Sequence, residues 1–428
     1  MTKKFFGLNL FGLTAFLALS FLPVQDANAT IKIGASMPLT GNFAVPGSKH
    51  LEGYEMCVDI INRHGGWLDQ EVELVVSDNR SDTETAIAQY ERFINVDNVD
   101  LTFGTFSSKL TFPISPILAK YNAIHPIPSG GALRIFSQGH KNLFYFQASA
   151  AEYVGQNMTG LINDLVADKP TKAAVVHADD FFANSIATGL LGEKVVMPGS
   201  GELVEDMAPG YIAAAGIEVV YHEQWPEEGF SDWLVLANSI KNSDADLVIA
   251  LMASPEEATQ LTRAIKTVRH NPKHILLSQG TQKEFYEGLG DDANGVIIMS
   301  AYHPKAPFKG QLAGLQMNNA DFAAEYSVTT GNKPDEDVAI TFALCQGIDQ
   351  AVRATGSVDD QTIMDWLHAR TPEDPVRTVL GNFSWDDRGL PLGKSFLMVQ
   401  WQDGGELEFV YPTNEFDTAD LVDPKPQW

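Results

Sequence analysis

One segment of the chain carries side chains suited to holding an anion. Thr105, Ser107 and Ser108 precede an expected helix that begins near Leu110, and Phe106 lies among them. Hydroxyl groups and free backbone N–H groups at a helix N-terminus favour a negatively charged group, a carboxylate in particular. Capping of the helix by Ser107 or Ser108 is the simpler interpretation, because such sequences cap helices without any ligand.

A second segment combines a serine with two glycines. Ser129, Gly130 and Gly131 follow a short apolar run around Ile124. Glycine lets a backbone approach another group closely, and it also forms tight turns. The glycine pair therefore fits either a contact with a ligand or a turn that serves only the fold.

The run from His177 to Phe182 follows an expected strand and precedes an expected helix. Ligands of open α/β sheets bind at this end of the strands. A metal site would combine His177 with Asp179 and Asp180, but adjacent residues at a strand end point in different directions. An aspartate at the helix start, with Phe181 and Phe182 buried beside it, is the favoured interpretation. No bound metal or cofactor is expected.

Sequence signatures of catalysis are absent. The chain contains no G-x-S-x-G motif, no G-x-x-x-x-G-K-[ST] phosphate loop and no H-E-x-x-H zinc motif. Ser108 and His177 could form a nucleophile–base pair, but no motif supports that pairing. We therefore expect a protein that is not an enzyme.

The elements that position these residues alternate along the chain. Short apolar strands are predicted at 31–35, 72–77, 101–104, 173–177, 217–221, 247–251, 274–277 and 296–300. Helices are predicted between them, at 49–63, 83–94, 110–121, 153–167, 183–191 and 255–268. This alternation indicates an α/β fold whose parallel sheets are covered on both faces.

The last part of the chain has a different pattern. The segments 396–402 and 406–411 flank an Asp-Gly-Gly turn, which predicts an antiparallel hairpin. The acidic tail after Pro412 has little to bury, and we expect it to be loosely held.

Length and charge limit the architecture and the partners. A chain of 428 residues predicts two domains. Its 29 Lys and Arg against 55 Asp and Glu give a formal net charge of −26. Phosphate groups would be repelled, so we expect no nucleic acid and no anionic lipid as partner. Adaptation to a salty environment is our preferred explanation for the acidity.

The first 29 residues have the features of an export signal. Two lysines precede an apolar stretch at 5–24, and Ala27 and Ala29 supply the small residues that a signal peptidase reads. An uncleaved membrane anchor is the alternative, because the apolar stretch is long. Cleavage after Ala29 is favoured, which predicts a periplasmic protein that begins at Thr30.

Two cysteines in the whole chain exclude a disulfide-built scaffold and a cysteine-built zinc site. Export makes a disulfide between Cys57 and Cys345 chemically permitted. Two separate buried thiols are the alternative.

Four motifs keep a definite order along the chain, and they lie at 31–41, 53–66, 77–82 and 383–389. They resemble, in turn, the opening strand and turn, the first helix with its terminating glycines, the D-x-x-x-D segment and the closing motif of exported solute-binding proteins of ABC importers. The likeness is to the leucine/isoleucine/valine-binding and amide-binding group, and it spans about residues 30–401.

The resemblance implies a type I periplasmic binding protein fold, with two doubly wound parallel-sheet lobes joined by a three-stranded hinge. Lobe 1 would comprise 30–147 and 300–388, and lobe 2 would comprise 148–299 and 389–428. Ligand would be clamped between the lobes, so the protein would work by hinge closure rather than by chemistry.

The resemblance also implies site residues. In the amino-acid binders of this group, one lobe holds the ligand carboxylate with a serine and backbone amides, whose positions correspond to Ser108, Gly130, Gly131 and Ala132. The other lobe holds the ammonium group with a glutamate, whose position corresponds to Gln279. Ala132 replaces a threonine, and Gln279 lacks the charge that would compensate a buried ammonium group.

Aromatic residues complete the expected pocket. Two family tyrosine positions correspond to Phe182 and Ala253, and Asp179 or Asp180 could supply the charge that Gln279 lacks. The aromatic side chains would line the pocket, or they are ordinary core residues. The candidate ligand-binding residues are Phe43, Phe106, Ser107, Ser108, Ser129, Gly130, Gly131, Ala132, Asp180, Phe182 and Gln279.

The sequence therefore predicts the periplasmic substrate-binding subunit of an ABC importer. We expect a monomer that binds an amino acid or a related small carboxylate and docks on a permease in the inner membrane. A ligand-sensing subunit for a membrane receptor is one alternative. A binder of an aromatic acid, another organic acid or an amide is the other.

Overall fold

The computed structural model describes residues 1–2, 30–252, 254–413 and 417–428. The expected export signal, apart from its first two residues, lies outside the described residues, and so does Ala253. In the described part of the chain, no helix is both long and apolar enough to cross a membrane.

The strands of the described residues are numbered in chain order. They are β1 (Thr30–Met37), β2 (Glu71–Asp78), β3 (Leu101–Phe103), β4 (His125–Ile127), β5 (Leu143–Tyr145), β6 (Lys172–Ala178), β7 (Lys194–Val196), β8 (Leu203–Asp206), β9 (Glu218–Trp225), β10 (Leu247–Leu251), β11 (His274–Leu277), β12 (Ile297–Ser300), β13 (Gln311–Leu312), β14 (Leu315–Gln316), β15 (Val376–Thr378), β16 (Gly381–Phe383), β17 (Leu397–Gln402) and β18 (Glu406–Tyr411).

The helices are numbered in the same way. They are α1 (Ala44–Arg63), α2 (Thr83–Arg92), α3 (Ser108–Lys120), α4 (Leu133–Phe136), α5 (Gly155–Leu165), α6 (Phe181–Leu191), α7 (Tyr211–Ala214), α8 (Trp233–Asn242), α9 (Pro255–Thr267), α10 (Lys283–Leu289), α11 (Asn319–Thr330), α12 (Glu336–Thr355) and α13 (Asp360–His368).

Two larger sheets form the framework. The first sheet has the order β2-β1-β3, and its strands are parallel. The second sheet has the order β18-β17-β12-β11-β10-β6-β9. Its strands from β12 to β9 are parallel, whereas β17 and β18 are antiparallel. Strands of parallel sheets are covered on both faces, which explains why all five residues of β10 are buried.

Helices α1 and α12 pack closely and are joined covalently. Cys57 of α1 and Cys345 of α12 form a disulfide, with a Cα–Cα distance of 6.3 Å. Gly53 permits the close approach, because a Cβ atom there would lie 2.1 Å from Thr341 Oγ1 and 2.3 Å from the Val338 carbonyl oxygen. Of the two alternatives for the cysteines, the structure therefore has the disulfide.

The predicted elements agree well with the structure. All eight predicted strands and all six predicted helices are confirmed, with ends that shift by a few residues. The predicted hairpin is β17 and β18, which pair antiparallel. The predicted helices do not include α4, α7, α8 or α10 to α13. The omission of α12 matters most, because this helix carries two residues of the candidate site.

The expectation of a loosely held tail is wrong for residues 417–428, the part of the tail near the C-terminus that the structure describes. Lys425 is only 2% exposed, and its N–H group donates a hydrogen bond to the Lys273 carbonyl at 2.9 Å. His274 Nε2 lies 2.9 Å from Asp423 Oδ1. Specific backbone and side-chain partners on the second sheet hold residues 417–428, and composition alone does not reveal such partners.

Candidate ligand-binding cleft

A cleft lies where loops that follow strands of the first sheet meet loops that follow strands of the second sheet. The space between its walls, part of which is open to solvent, is about 470 Å³. Ligands of parallel sheets bind beyond the carboxyl ends of the strands, and the cleft has that position for both sheets. The lining residues are Phe106, Ser107, Ser108, Ser129, Gly130, Gln147, Phe182, Ser278, Gln279, Met299, Glu336 and Asp337.

Two buried hydroxyl groups face the cleft from the start of α3. Ser107 is 3% exposed and Ser108 is 1% exposed. Ser107 occupies the N-cap position, but its side chain makes no capping hydrogen bond. Within the described residues, neither Ser107 Oγ nor Ser108 Oγ has a hydrogen-bond partner. The capping interpretation is therefore wrong. Because a buried hydroxyl without a partner costs about 1–3 kcal/mol, both are suited to donate to a ligand.

The loop after β4 is held against α3. Thr111 Oγ1 of α3 donates a hydrogen bond to the Ser129 carbonyl at 3.0 Å. Gly130 has φ 128°, and a Cβ atom there would lie only 2.8 Å from Thr111 Oγ1. Glycine alone satisfies both conditions without strain. This glycine therefore brings Ser129 and its own backbone up to the cleft.

Aromatic and thioether side chains form the apolar part of the wall. Phe106, Phe182 and Met299 line the cleft. Phe43 stands behind this wall, with its ring centroid 5.4 Å from that of Phe106 in an edge-to-face arrangement. The His50 ring makes a similar contact with Phe106, at 5.3 Å. Phe43 and His50 thus fix the orientation of Phe106.

The loop after β11 contributes neutral polar groups. Ser278 Oγ donates to the Met252 carbonyl and accepts from the Met252 N–H group, both at 2.8 Å. These bonds tie the loop to the end of β10. Gln282 Nε2 donates a hydrogen bond to Gln279 Oε1 at 3.4 Å. Gln279 therefore lines the cleft as an uncharged amide.

Glu336 joins helix α12 to the second sheet. Its carboxylate accepts hydrogen bonds from Thr281 Oγ1 at 3.0 Å, from Ser300 Oγ at 3.1 Å and from the Ala301 N–H group at 2.9 Å. These donors lie in the loop after β11 and at the end of β12. Burial raises the pKa of Glu336 to about 7, and Asp335 contributes to the shift.

Asp337 is the second carboxylate of the cleft. Its Oδ2 accepts a hydrogen bond from Gln282 Nε2 at 2.8 Å, and its Oδ1 lies 3.6 Å from His50 Nε2. Burial, with the nearby charges of Asp335 and Glu336, raises the pKa of Asp337 well above its ordinary value. Burial also lowers the pKa of His50 to about 3, so this histidine is neutral near pH 7 and supplies no positive charge.

The structure brings most of the candidate residues together. The candidates that line the cleft are Phe106, Ser107, Ser108, Ser129, Gly130, Phe182 and Gln279. Phe43, Gly131, Ala132 and Asp180 do not line it. Ala132 is fully buried at the start of α4. Asp180 caps α6 by accepting two backbone hydrogen bonds of the first turn, at 2.9 and 3.0 Å. Burial raises the pKa of Asp180 to about 6.

The alternatives that involved His177 find no support in the geometry. His177 Nδ1 lies 3.0 Å from the Ala178 carbonyl, and Nε2 lies 3.0 Å from His222 Nε2. Ser108 Oγ makes no hydrogen bond to His177. Over the described ranges, no group of three or more His, Cys, Asp or Glu side chains is arranged to hold a metal ion.

Five lining residues were missed by the sequence analysis, namely Gln147, Ser278, Met299, Glu336 and Asp337. Three consecutive acids, 335–337, open the long helix α12, and this run was a usable signal. Its ordinary interpretation is helix capping, and Asp335 does accept a hydrogen bond from the Val338 N–H group at 3.2 Å. The other two acids face the cleft instead.

An ion pair connects the two sides next to the cleft. Lys109 Nζ, on α3, lies 2.8 Å from Glu227 Oε2, in the loop after β9. The side chains are 31% and 20% exposed. Lys109 Nζ also lies 5.9 Å from the centroid of the Phe43 ring. This pair is one of the contacts that hold the first-sheet side against the second-sheet side.

Hydroxyl, amide, carboxylate and aromatic groups that converge between two α/β halves define a small-molecule binding protein. A family model described as "Periplasmic binding protein" matches residues 30–192 and 198–406. The chain belongs to the periplasmic binding protein family. This family and this fold are those of transport binding proteins.

Known proteins similar to this chain agree with that assignment. Leu/Ile/Val-binding protein homolog 1 of Brucella melitensis is 23% identical over 388 residues, which cover 90% of this chain and 94% of the relative. The branched-chain amino acid transporter substrate binding protein LivJ from Streptococcus pneumoniae, solved in complex with isoleucine, has a TM-score of 0.73 at 19% identity and covers 92% of this chain and 100% of its own. A solute binding protein of an ABC transporter from Rhodopseudomonas palustris, solved with 3,4-dihydroxy benzoic acid, has a TM-score of 0.71 at 16% identity, with coverages of 92% and 98%. The chain shares their type I periplasmic binding protein fold.

Proposed function

We propose that this protein is the periplasmic substrate-binding subunit of an ABC importer and that its cleft binds an amino acid or a related small carboxylate. The observation that carries the proposal is the pair of buried hydroxyls, Ser107 Oγ and Ser108 Oγ, which face the cleft with no partner in the described residues. The similar proteins add support, because one of them was solved with isoleucine.

A ligand carboxylate fits the hydroxyl side of the cleft. Ser107 and Ser108 offer two O–H donors, and the first turn of α3 offers backbone N–H groups that have no partner within the helix. The positive end of the helix dipole lies at the same place and favours a negative charge.

Closure of two lobes is the proposed mechanism. The lobes are 30–147 with 300–388 and 148–299 with 389–428, as the sequence analysis suggests. The first pair of segments contains the first sheet and the disulfide-linked helices α1 and α12, and the second contains nearly all of the second sheet. A ligand that contacts both sides binds the closed state better, and this difference in affinity drives closure.

Export and a membrane partner complete the proposal. The signal-like N-terminus and the family support a periplasmic location, where the Cys57–Cys345 disulfide is chemically stable. A permease of the inner membrane would receive the ligand from the closed, monomeric protein.

Binding of an aromatic acid is the second candidate function. Phe106 and Phe182 line the cleft, and a protein of the same fold was solved with 3,4-dihydroxy benzoic acid. The two acidic side chains of the cleft favour an amino acid, because an aromatic acid without an amino group offers them no cationic partner.

A thermal-shift screen of the purified protein tests the proposal. The panel contains amino acids, amides, aliphatic acids and aromatic acids. A ligand that binds only the folded state raises the melting temperature. At a ligand concentration of 100 times Kd, it adds about 2.7 kcal/mol to the free energy of unfolding. At least one amino acid is expected to do so. A response to aromatic acids alone would support the second candidate, and no response to any carboxylate would contradict both.

A further inference from the structure

Both ionisable side chains that line the cleft are acids. Among the described residues, its lining includes Glu336 and Asp337 and no Lys or Arg. His50, directly behind Phe106, is neutral near pH 7. A ligand that brought only a carboxylate would therefore add a further acidic group to a cleft whose lining, in the described residues, offers no cationic side chain, which is unfavourable. A ligand that also carries a cationic group removes this cost.

Glu336 and Asp337 differ in how many of their carboxylate oxygens already accept hydrogen bonds from the protein. Glu336 accepts three hydrogen bonds, from Thr281, Ser300 and Ala301, and both of its oxygens are used. Asp337 uses Oδ2 to accept from Gln282. Its Oδ1 has His50 Nε2 at 3.6 Å, which is beyond hydrogen-bond distance. Asp337, which lines the cleft, thus keeps acceptor capacity at Oδ1.

An independent observation points to a ligand in the cleft that Asp337 lines. Ser107 Oγ and Ser108 Oγ, on residues 3% and 1% exposed, line the same cleft without a partner in the described part of the chain. They are donors, whereas Asp337 is an acceptor. A zwitterion, with a carboxylate at one end and an ammonium group nearby, complements donors and acceptor together.

We propose that Asp337, on helix α12, selects ligands that carry a cationic amino group, and that it replaces the neutral Gln279 in this role. The inference rests on the proposed function and narrows the ligand class to α-amino acids rather than simple carboxylic acids. Gln282 connects the two residues, since its Nε2 donates to both Gln279 Oε1 and Asp337 Oδ2. The acidic side chain at 337 is therefore linked to residue 279 through the amide of Gln282.

Matched ligand pairs test the inference by isothermal titration calorimetry. The probes are L-alanine with propionate, L-leucine with isocaproate, and L-phenylalanine with hydrocinnamate, so each pair differs by the amino group. The wild-type protein is expected to bind an amino acid at least about 30-fold tighter than its deaminated partner. Asp337→Asn is expected to lose about 30-fold or more in affinity for the amino acid and to bind the deaminated acid equally well or better.

Asp335→Asn is the matched control. It removes an acidic group two residues away, on a side chain that caps α12 and does not line the cleft. Burial and the Asp335 charge raise the pKa of Asp337, so removal of that charge favours the ionised form of Asp337, and the discrimination is expected to persist or to increase. Melting temperatures establish that the variants fold, and Asp337→Ser replaces Asp337→Asn should the latter fail to fold.

The outcomes separate the inference from the proposed function. Equal affinity of the wild-type protein for both members of a pair, or undiminished amino-acid binding by the Asp337 variants, overturns the inference and leaves a carboxylate-binding protein. Failure of the wild-type protein to bind any of the probes overturns the amino-acid function and the inference with it.

Discussion

Gln279 and Asp337 share a single hydrogen-bond donor, the side-chain amide of Gln282. Nε2 of this amide lies 3.4 Å from Gln279 Oε1 and 2.8 Å from Asp337 Oδ2. The link crosses from the loop after β11 to the first turn of α12. A neutral residue at 279 is compatible with an amino-acid ligand because a carboxylate is present at the other end of this link.

The substitution Gln279→Glu tests how strongly residues 279 and 337 are coupled electrostatically. The new carboxylate would compete with Asp337 for Gln282, and burial already raises the pKa of Asp337. A like charge nearby raises the folded-state pKa of both groups further. The folded state then binds more protons than the unfolded state, so its stability falls as pH rises through the interval between the unfolded and folded pKa values.

The expected result is a larger loss of melting temperature at about pH 8 than at about pH 5, measured by thermal unfolding. Gln279→Met, which introduces a neutral side chain of similar size, is the control. Its melting temperature should fall by about the same amount at both pH values. An equal loss for Gln279→Glu at the two pH values would contradict the coupling.

Ser108→Ala is expected to weaken ligand binding without unfolding the protein. Removal of a hydrogen bond to a charged group costs about 1.5–3 kcal/mol, which corresponds to roughly a 10- to 100-fold larger Kd by calorimetry. Stability should hold or rise, because Ser108 Oγ has no partner among the described residues. Ser115→Ala is the control on the same helix, since Ser115 Oγ donates to the Thr111 carbonyl at 2.8 Å away from the cleft. An unchanged Kd for Ser108→Ala would remove this residue from the carboxylate site.

The fold was largely predictable because its signals are local. Strands such as β10 and β11 are short apolar runs between turns, and their bounds in the structure are the predicted ones. The tail was mispredicted because the contacts that fix it join residues far apart in the sequence. The contact of Asp423 with His274 is one example. The sequence permitted a disulfide between Cys57 and Cys345 but did not establish it, since pairing depends on how α1 packs against α12.

The site was predictable only where a motif or a helix start carried it. Ser107, Ser108 and Gly130 follow strand ends, and the sequence analysis found them. Asp180 has the same local signal, yet its carboxylate caps α6, because capping and ligand binding use the same side chains at the same positions. Asp337 was missed because its place in the cleft depends on the packing of α12 against α1, some 280 residues earlier in the chain.

The Cys57–Cys345 disulfide is expected to stabilise the protein and to have little effect on ligand affinity. It joins residues separated by 288 positions, so it restricts the unfolded chain strongly. Replacement of both cysteines by serine should lower the free energy of unfolding by about 2–4 kcal/mol in denaturant titrations. Neither cysteine lines the cleft, so Kd should change little. Addition of a reductant to the wild-type protein should give a similar loss, and an unaffected stability would contradict a structural role.

The Lys109–Glu227 ion pair is expected to slow ligand release. It connects α3 to the loop after β9 across the two sides of the cleft, at 2.8 Å. Partly exposed pairs of this kind contribute up to about 1 kcal/mol, so Lys109→Met and Glu227→Gln should each speed ligand dissociation up to about fivefold. The effect should shrink at high salt, because screening weakens the attraction in the wild-type protein.

Stopped-flow dissociation of the two single variants and the double variant measures whether the pair acts as a unit. If it does, the double variant dissociates no faster than either single one. Lys172→Met is the control: Lys172 pairs with Asp244 at 3.0 Å on the exposed surface of the second-sheet side alone. This substitution should leave the rate unchanged, because its pair does not span the cleft. Additive effects of the Lys109 and Glu227 substitutions would show that each residue acts by itself and that the contact between the two sides does not depend on their pairing.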